Sequence, residues 1–233
     1  LNNLTSEDEI IVSELEHHSQ VLPWQNVSNI TKAKLVYVPL NKEGRITVEN
    51  FKKVLTDKTK VVALNYVSNV MGYISPIKEI IKLAHEKGAV VSVDAAQAAP
   101  HKAIDVKDLD CDFYVFSSHK LFGPTGLGVL YGKTERLETM PPYQGGGEMI
   151  EKVTFEKTTF AEIPYKFEAG TPNIADVIAF SEAIKFVQTL GDKQGILKYE
   201  QSLLDIATSE LKKIPGLRII GEADQKIGVI SFV

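Results

Sequence analysis

The chain has 233 residues, 44% of them hydrophobic and 24% charged, an ordinary globular composition large enough for one sizeable core. A formal net charge of −4 gives no support for a nucleic-acid partner, and no apolar run approaches the ~20 residues that cross a bilayer, so no membrane partner is expected. One cysteine and no signal-peptide pattern point to a reducing, cytoplasmic setting.

Taken in order, residues 10–13 read as a short strand, followed by Glu14-Leu15-Glu16-His17-His18. The His pair invites a metal reading. Neighbours on a strand point to opposite faces, however, and no Cys or His lies nearby at ligand spacing, so no metal site is expected. A helix is expected around Val21-Leu22-Pro23-Trp24-Gln25, its start left open by Pro23. Residues 34–39 alternate as a strand, and Asn41-Lys42-Glu43-Gly44 is a turn. Thr47 reads as the N-cap of a short helix with Val48, Phe51 and Val54 or Leu55 on one face. Residues 61–64 are a buried strand. Beyond them Asn69, taken alone, reads as a residue that caps a turn. Ser75 and Pro76 are placed as N-cap and first residue of a helix whose inner face is Ile77, Ile80, Ile81 and Ala84, ended by Gly88.

Two short apolar segments follow, Ala89-Val90-Val91-Ser92-Val93 and Phe113-Tyr114-Val115-Phe116, which read as buried strands of a parallel sheet. With the preceding strand and helix, the first completes a right-handed βαβ unit. Open α/β sheets bind ligands just past the carboxyl ends of their strands. There this chain carries Asp94 and Gln97, then Ser117, Ser118, His119 and Lys120. A carboxylate at one strand end and an amine at the next suit pyridoxal phosphate, which needs a Lys for a Schiff base and a carboxylate for its pyridinium nitrogen. Lys120 and Asp94 take those roles. Gln97 is placed as donor to the ring phenolate oxygen, and Ser117 and His119 as holders of the phosphate. The bland alternative, a buried Asp–Lys pair or two solvated loop residues, is disfavoured by the full runs Asp-Ala-Ala-Gln and Ser-Ser-His-Lys.

Cys111 precedes the second strand, at the end away from Lys120, and is expected to be a small buried hydrophobe rather than a nucleophile. The glycines of residues 123–128 look like a dinucleotide loop, but residues 129–131 continue as a strand where a helix is required, so no NAD-type site is expected. They permit a tight reversal after Lys120 instead. Asn173 is an N-cap for a helix with Ile174, Val177, Ile178 and Ile184, running to about residue 190. A second helix, roughly residues 194–213, has Ile196, Tyr199, Leu203 and Ile206 as its spine and ends at Pro215-Gly216; residues 217–220 and 228–233 read as strands.

The runs Val93-Asp94-Ala95-Ala96-Gln97 and Phe113 through Gly126, with Ser117-Ser118-His119-Lys120 at their centre, resemble the class V aminotransferase family, and within it the Suf-type cysteine desulfurases, which overlap with selenocysteine lyases. The resemblance covers nearly the whole chain. It implies a pyridoxal phosphate-dependent α/β fold of type I: a large domain over residues 1–190 with a mainly parallel sheet flanked by helices, and the start of a small α+β domain over 191–233. Glu16-His17-His18-Ser19 matches a motif whose first His stacks on the cofactor ring, which makes His17 a catalytic residue that also shuttles protons. Asn69 matches an Asn beside the cofactor. Gly145-Gly146-Gly147 matches a glycine segment near the active site. Phe167-Glu168-Ala169-Gly170-Thr171-Pro172-Asn173 matches a motif whose Thr reaches the cofactor phosphate of a second subunit, so Thr171 is an expectation of a homodimer. The family's Gly-Thr-Thr phosphate segment, its catalytic Cys and its substrate-binding Arg have no counterpart here, so the chain is expected to be a fragment. The implied reaction converts L-cysteine to L-alanine and passes sulfur through an enzyme persulfide to a Suf-type acceptor for iron–sulfur cluster assembly. Selenocysteine lyase, another class V activity and a non-catalytic scaffold are the alternatives.

Overall fold

The computed structural model describes residues 4–223 and 226–233. Six strands form its central sheet: β1 (Glu9–Ser13), β2 (Lys34–Val38), β3 (Thr59–Asn65), β4 (Val90–Asp94), β5 (Phe113–Ser117) and β6 (Gly128–Gly132). They lie in the order β2-β1-β3-β4-β5-β6, every neighbouring pair parallel except β5 with β6. Parallel neighbours require crossovers, and these are α1 (His18–Thr31), α2 (Val48–Val54), α3 (Ile77–Glu86), and the short α4 (Ala98–His101) with α5 (Val106–Leu109). The architecture is the expected α/β one.

Strand alternation sorts the core onto two faces. Ile11 packs with Val62, Leu64, Phe51, Ile77 and Ile80, on the face covered by α2 and α3. Ile10 turns the other way and packs with Val61, Ala33, and Trp24 and Val27 of α1. Thr47 caps α2 by accepting from Asn50 N at 3.1 Å, as its position in the sequence suggests. Two helix starts differ from expectation. First, α1 begins five residues before Pro23, which lies inside it, because His17 supplies the cap. Second, Ser75 does not cap α3. Its hydroxyl is buried behind the sheet and donates to Asn65 Oδ1 at 3.5 Å, and the helix begins at Ile77 without a side-chain cap.

Beyond the sheet come α6 (Thr134–Thr139), a hairpin of β7 (Ile150–Val153) and β8 (Thr158–Phe160), α7 (Ile174–Thr189), α8 (Lys193–Leu211), and an antiparallel pair, β9 (Ile219–Ile220) with β10 (Ser231–Phe232). Asn173 caps α7 through Asp176 N. The inner faces of both long helices are not those expected. In α7, Phe180, Ala183 and Val187 are buried while Ile174, Val177, Ile178 and Ile184 are exposed. In α8, Leu204 is buried while Tyr199, Leu203 and Ile206 face out. Apolar residues surround much of both helices, so spacing alone does not choose a face.

Candidate active site

The carboxyl ends of β3, β4 and β5 meet at one edge of the sheet. Asn65, the last residue of β3, is the register partner of Asp94, the last residue of β4. Asp94 pairs in turn with Val115, two residues before the end of β5. A cavity of about 310 Å³ opens here. His17, Asn69, Asp94, Gln97, Ser117, His119 and Lys120 all line it, together with Ser19, Asn65, Val67 and Ala96. A broader groove of about 940 Å³ between α6 and the β7–β8 hairpin shares none of these residues.

Each element presents its side chain for a local reason. Asp94 is fixed by Ala96 N, which donates to Oδ1 at 2.9 Å; Oδ2 accepts no hydrogen bond among the described residues. After β5 the chain tightens into a single 3-10 turn, Ser118–Leu121. Ser118 is fully buried there and its Oγ donates to the carbonyls of Pro124 and Leu127. That anchor leaves Ser117, His119 and Lys120 on the cavity side, and the Lys120 amine has no hydrogen bond or ion pair among the described residues. The reversal that follows uses Gly126 at φ +80. In the loop after β3, Ser68 Oγ accepts from Val70 N and Met71 N, so the turn-capping duty falls on Ser68 and Asn69 is left to the cavity.

His17 caps α1: its Nδ1 accepts from Ser19 N at 3.2 Å and lies 2.8 Å from Ser19 Oγ. The His pair therefore occupies a helix start rather than a strand, and His18 does not line the cavity. Behind His17 sits Glu16, whose carboxyl is raised to about 7 by burial, with the negative charge of Asp94 adding to the effect. Glu16, Ser19 and Asn65 were not singled out by sequence reasoning. Asn65 obeys the same strand-end rule that points to Asp94, and that signal was available. Glu16 stood only as the first residue of the motif around His17, and nothing local gave it a role of its own, since its partner Asn65 lies 49 residues away.

Two further residues lie outside this cavity, neither of them expected in it. Thr171 is exposed and does not line the cavity of its own chain; the Gly145-Gly146-Gly147 run holds its segment, Gly170 N donating to Gly147 O at 2.9 Å. Cys111 is fully buried at the amino end of β5, and burial pushes its thiol up to about 11, which leaves it protonated and inert. A second hollow, about 280 Å³, shares Gln97 and Lys120 and is also lined by Val187 of α7, Leu190 just after it and Ile196 of α8. His101 Nδ1 lies 2.8 Å from both carboxyl oxygens of Glu200 at its margin.

A family model described as aminotransferase class-V matches residues 1–233. The chain is 50% identical over 231 residues to a cysteine desulfurase of Synechococcus elongatus, covering 99% of this chain and 37% of that protein. It is 46% identical over 230 residues to a probable cysteine desulfurase of Halalkalibacterium halodurans, covering 99% of this chain and 56% of that one. The crystal structure of the cysteine desulfurase CsdA (S-sulfonic acid) from Escherichia coli matches with a TM-score of 0.95 at 42% identity, over 100% of this chain and 57% of that one. The chain thus spans between 37% and 57% of the length of these relatives.

Proposed function

Since the chain belongs to the class-V aminotransferase family, we propose that it forms the cofactor-binding part of a pyridoxal phosphate-dependent cysteine desulfurase. One observation carries the reading: a carboxylate, an amine, two imidazoles, two side-chain amides and a hydroxyl, each singled out in the sequence, converge on one strand-end cavity. The donor set fits the cofactor. Among the described residues, one carboxyl oxygen of Asp94 and the amine of Lys120 have no hydrogen-bond partner, which leaves them for a ring N–H and for the cofactor aldehyde.

When bound, pyridoxal phosphate supplies an electron sink for charge developing at an amino acid's Cα. The residues of this chain divide the remaining tasks. Asp94 holds a proton on the ring nitrogen. Lys120 anchors the cofactor covalently and moves a proton at the substrate Cα. His17 would stack on the ring, Gln97 would donate to the ring oxygen, Asn69 would stand beside the ring, and Ser117 and His119 would hold the phosphate. Thr171 of a second copy completes the phosphate site in a homodimer. L-cysteine yields L-alanine, and its sulfur passes to a cysteine outside this chain rather than to Cys111. From that persulfide a Suf-type acceptor takes sulfur for iron–sulfur cluster assembly in the cytoplasm. Residues 1–190 form the large domain and 191–233 begin a smaller one.

The test is to load the full-length protein that carries this chain with pyridoxal phosphate and supply L-cysteine. Visible absorbance of the bound cofactor and equimolar alanine and persulfide are expected. No uptake of the cofactor overturns the site, and alanine formed from selenocysteine but not from cysteine overturns the substrate.

A further inference from the structure

The turn from β1 to α1 is fastened by a carboxyl group outside the cavity. Glu16 Oε1 accepts from Ser13 Oγ at 2.5 Å and from Asn65 Nδ2 at 2.9 Å. The same Nδ2 donates to Leu15 O at 3.0 Å, and Asn65 Oδ1 accepts from Ser75 Oγ. Asn65 therefore lines the cavity but commits its amide to this turn: it is a brace. The residue it braces next to is His17, whose ring is part of the cavity wall.

Glu16 Oε2 is buried and has no hydrogen-bond partner among the described residues. Both donors converge on one oxygen and leave the other bare. A carboxylate in that position would keep an unsolvated charge on the bare oxygen, whereas a neutral acid leaves only an uncharged O–H without an acceptor there, which costs far less. Asp94 acts on it from β4 as a like charge. The other titratable groups nearby are Glu14 and His17 on its own turn, and His119 and Lys120 beyond β5.

We propose that Glu16 works as a neutral acid that positions His17 and leaves Asp94 the one negative group of the cavity. A second negative charge at Glu16 would stand unpaired beside the carboxylate that a ring N–H would need. The positioning role rests on the cofactor-site reading above; the charge state of Glu16 does not.

Two measurements on the full-length protein test this. The first uses no cofactor: infrared difference spectra of wild type against Glu16→Gln, as a function of pH. A protonated-carboxyl C=O band is expected at pH 6, fading as pH rises through about 7. Its absence at pH 6 overturns the proposal whatever the cavity binds. The second uses the loaded enzyme. Glu16→Ala is expected to lower kcat by about 10- to 100-fold, the size of a misplaced catalytic group, with KM little changed. Glu16→Gln, which keeps a neutral acceptor for Ser13 and Asn65, is expected to recover most of that loss. Gln performing no better than Ala, or Ala matching wild type, overturns the proposal. A wild-type protein that takes up no cofactor sinks the site reading, and the infrared measurement still decides Glu16.

Discussion

Gly123 lies directly beneath the ring of Phe180: a Cβ built at Gly123 would sit 2.5 Å from Phe180 Cδ2 and 3.0 Å from both Cβ and O of Ser118. The contact clamps α7 onto the turn that carries Lys120. Gly123 is needed here for closeness, not for a left-handed backbone. Gly123→Ala is expected to destabilise the fold by about 1–3 kcal/mol, the usual cost of overpacking. Phe180→Leu should relieve part of that loss, since the two positions are in contact and their effects couple. A double-mutant cycle by denaturant unfolding checks it; strict additivity would mean the clash is absent.

Lys120→Ala is expected to abolish the visible absorbance of covalently held pyridoxal phosphate while leaving the fold intact, because the Lys120 amine has no hydrogen bond or ion pair among the described residues. Asp94→Asn should keep the absorbance but slow turnover by at least ~100-fold, since the ring nitrogen then lacks its anionic partner. Spectra and single-turnover rates on the full-length protein separate the two. A persisting visible band in Lys120→Ala before substrate is added would refute the assignment of Lys120.

Asp112 is a buried charge hub at the other end of β5. Its Oδ2 accepts from Val91 N at 2.8 Å and faces His85 Nε2 at 2.9 Å, while Oδ1 accepts from Arg136 Nε at 2.8 Å. Burial alone would raise its carboxyl. The Val91 N–H, His85 and Arg136 outweigh that and hold it below the usual 3.8. Asp112→Asn is expected to cost about 3–5 kcal/mol at neutral pH, the range for breaking a buried pair. A lowered folded-state value gives stability that is present above 3.8 and lost as pH falls, so the difference from wild type should shrink in acid. Unfolding curves at pH 7 and pH 3 measure it.

Glu16 gives the opposite slope. Its folded value of about 7 lies above the ordinary 4.5, so wild type is favoured below 4.5 and loses that advantage as pH rises through about 7. A shift of that size corresponds to roughly 3–4 kcal/mol. Glu16→Gln should flatten the pH 5–8 stability profile, and denaturant midpoints across that range would reveal an unchanged slope if Glu16 does not titrate there.

Where the sequence was legible, short-range chemistry decided the outcome. The strands ending at Asp94 and Ser117 are short, apolar and sharply bounded, so their polar ends stand out. Thr47 and Asn173 cap helices because their own side chains reach N–H groups three residues on. Where it was not, the deciding contact was distant or absent. Glu16 matters through Asn65, and Ser75 was drawn off α3 by the same residue. Ile178 sits at helical spacing but faces outward, because α7 is apolar on most sides and its docking face depends on what it meets; on α8, Tyr199 faces outward while Leu204 is buried. The β7–β8 hairpin was missed altogether: it is wholly or largely exposed, so burial imposed no clear apolar alternation on residues 150–160.

Ser117 and Ser118 are chemically identical neighbours with unlike fates. One faces the hollow, and the other is turned inward and tied to the main chain of the following loop. Change at position 118 therefore breaks the loop itself, whereas change at 117 or 119 leaves the loop standing and alters what the hollow can hold. A library randomising all three together would spend most of its variants on broken loops rather than on altered specificity.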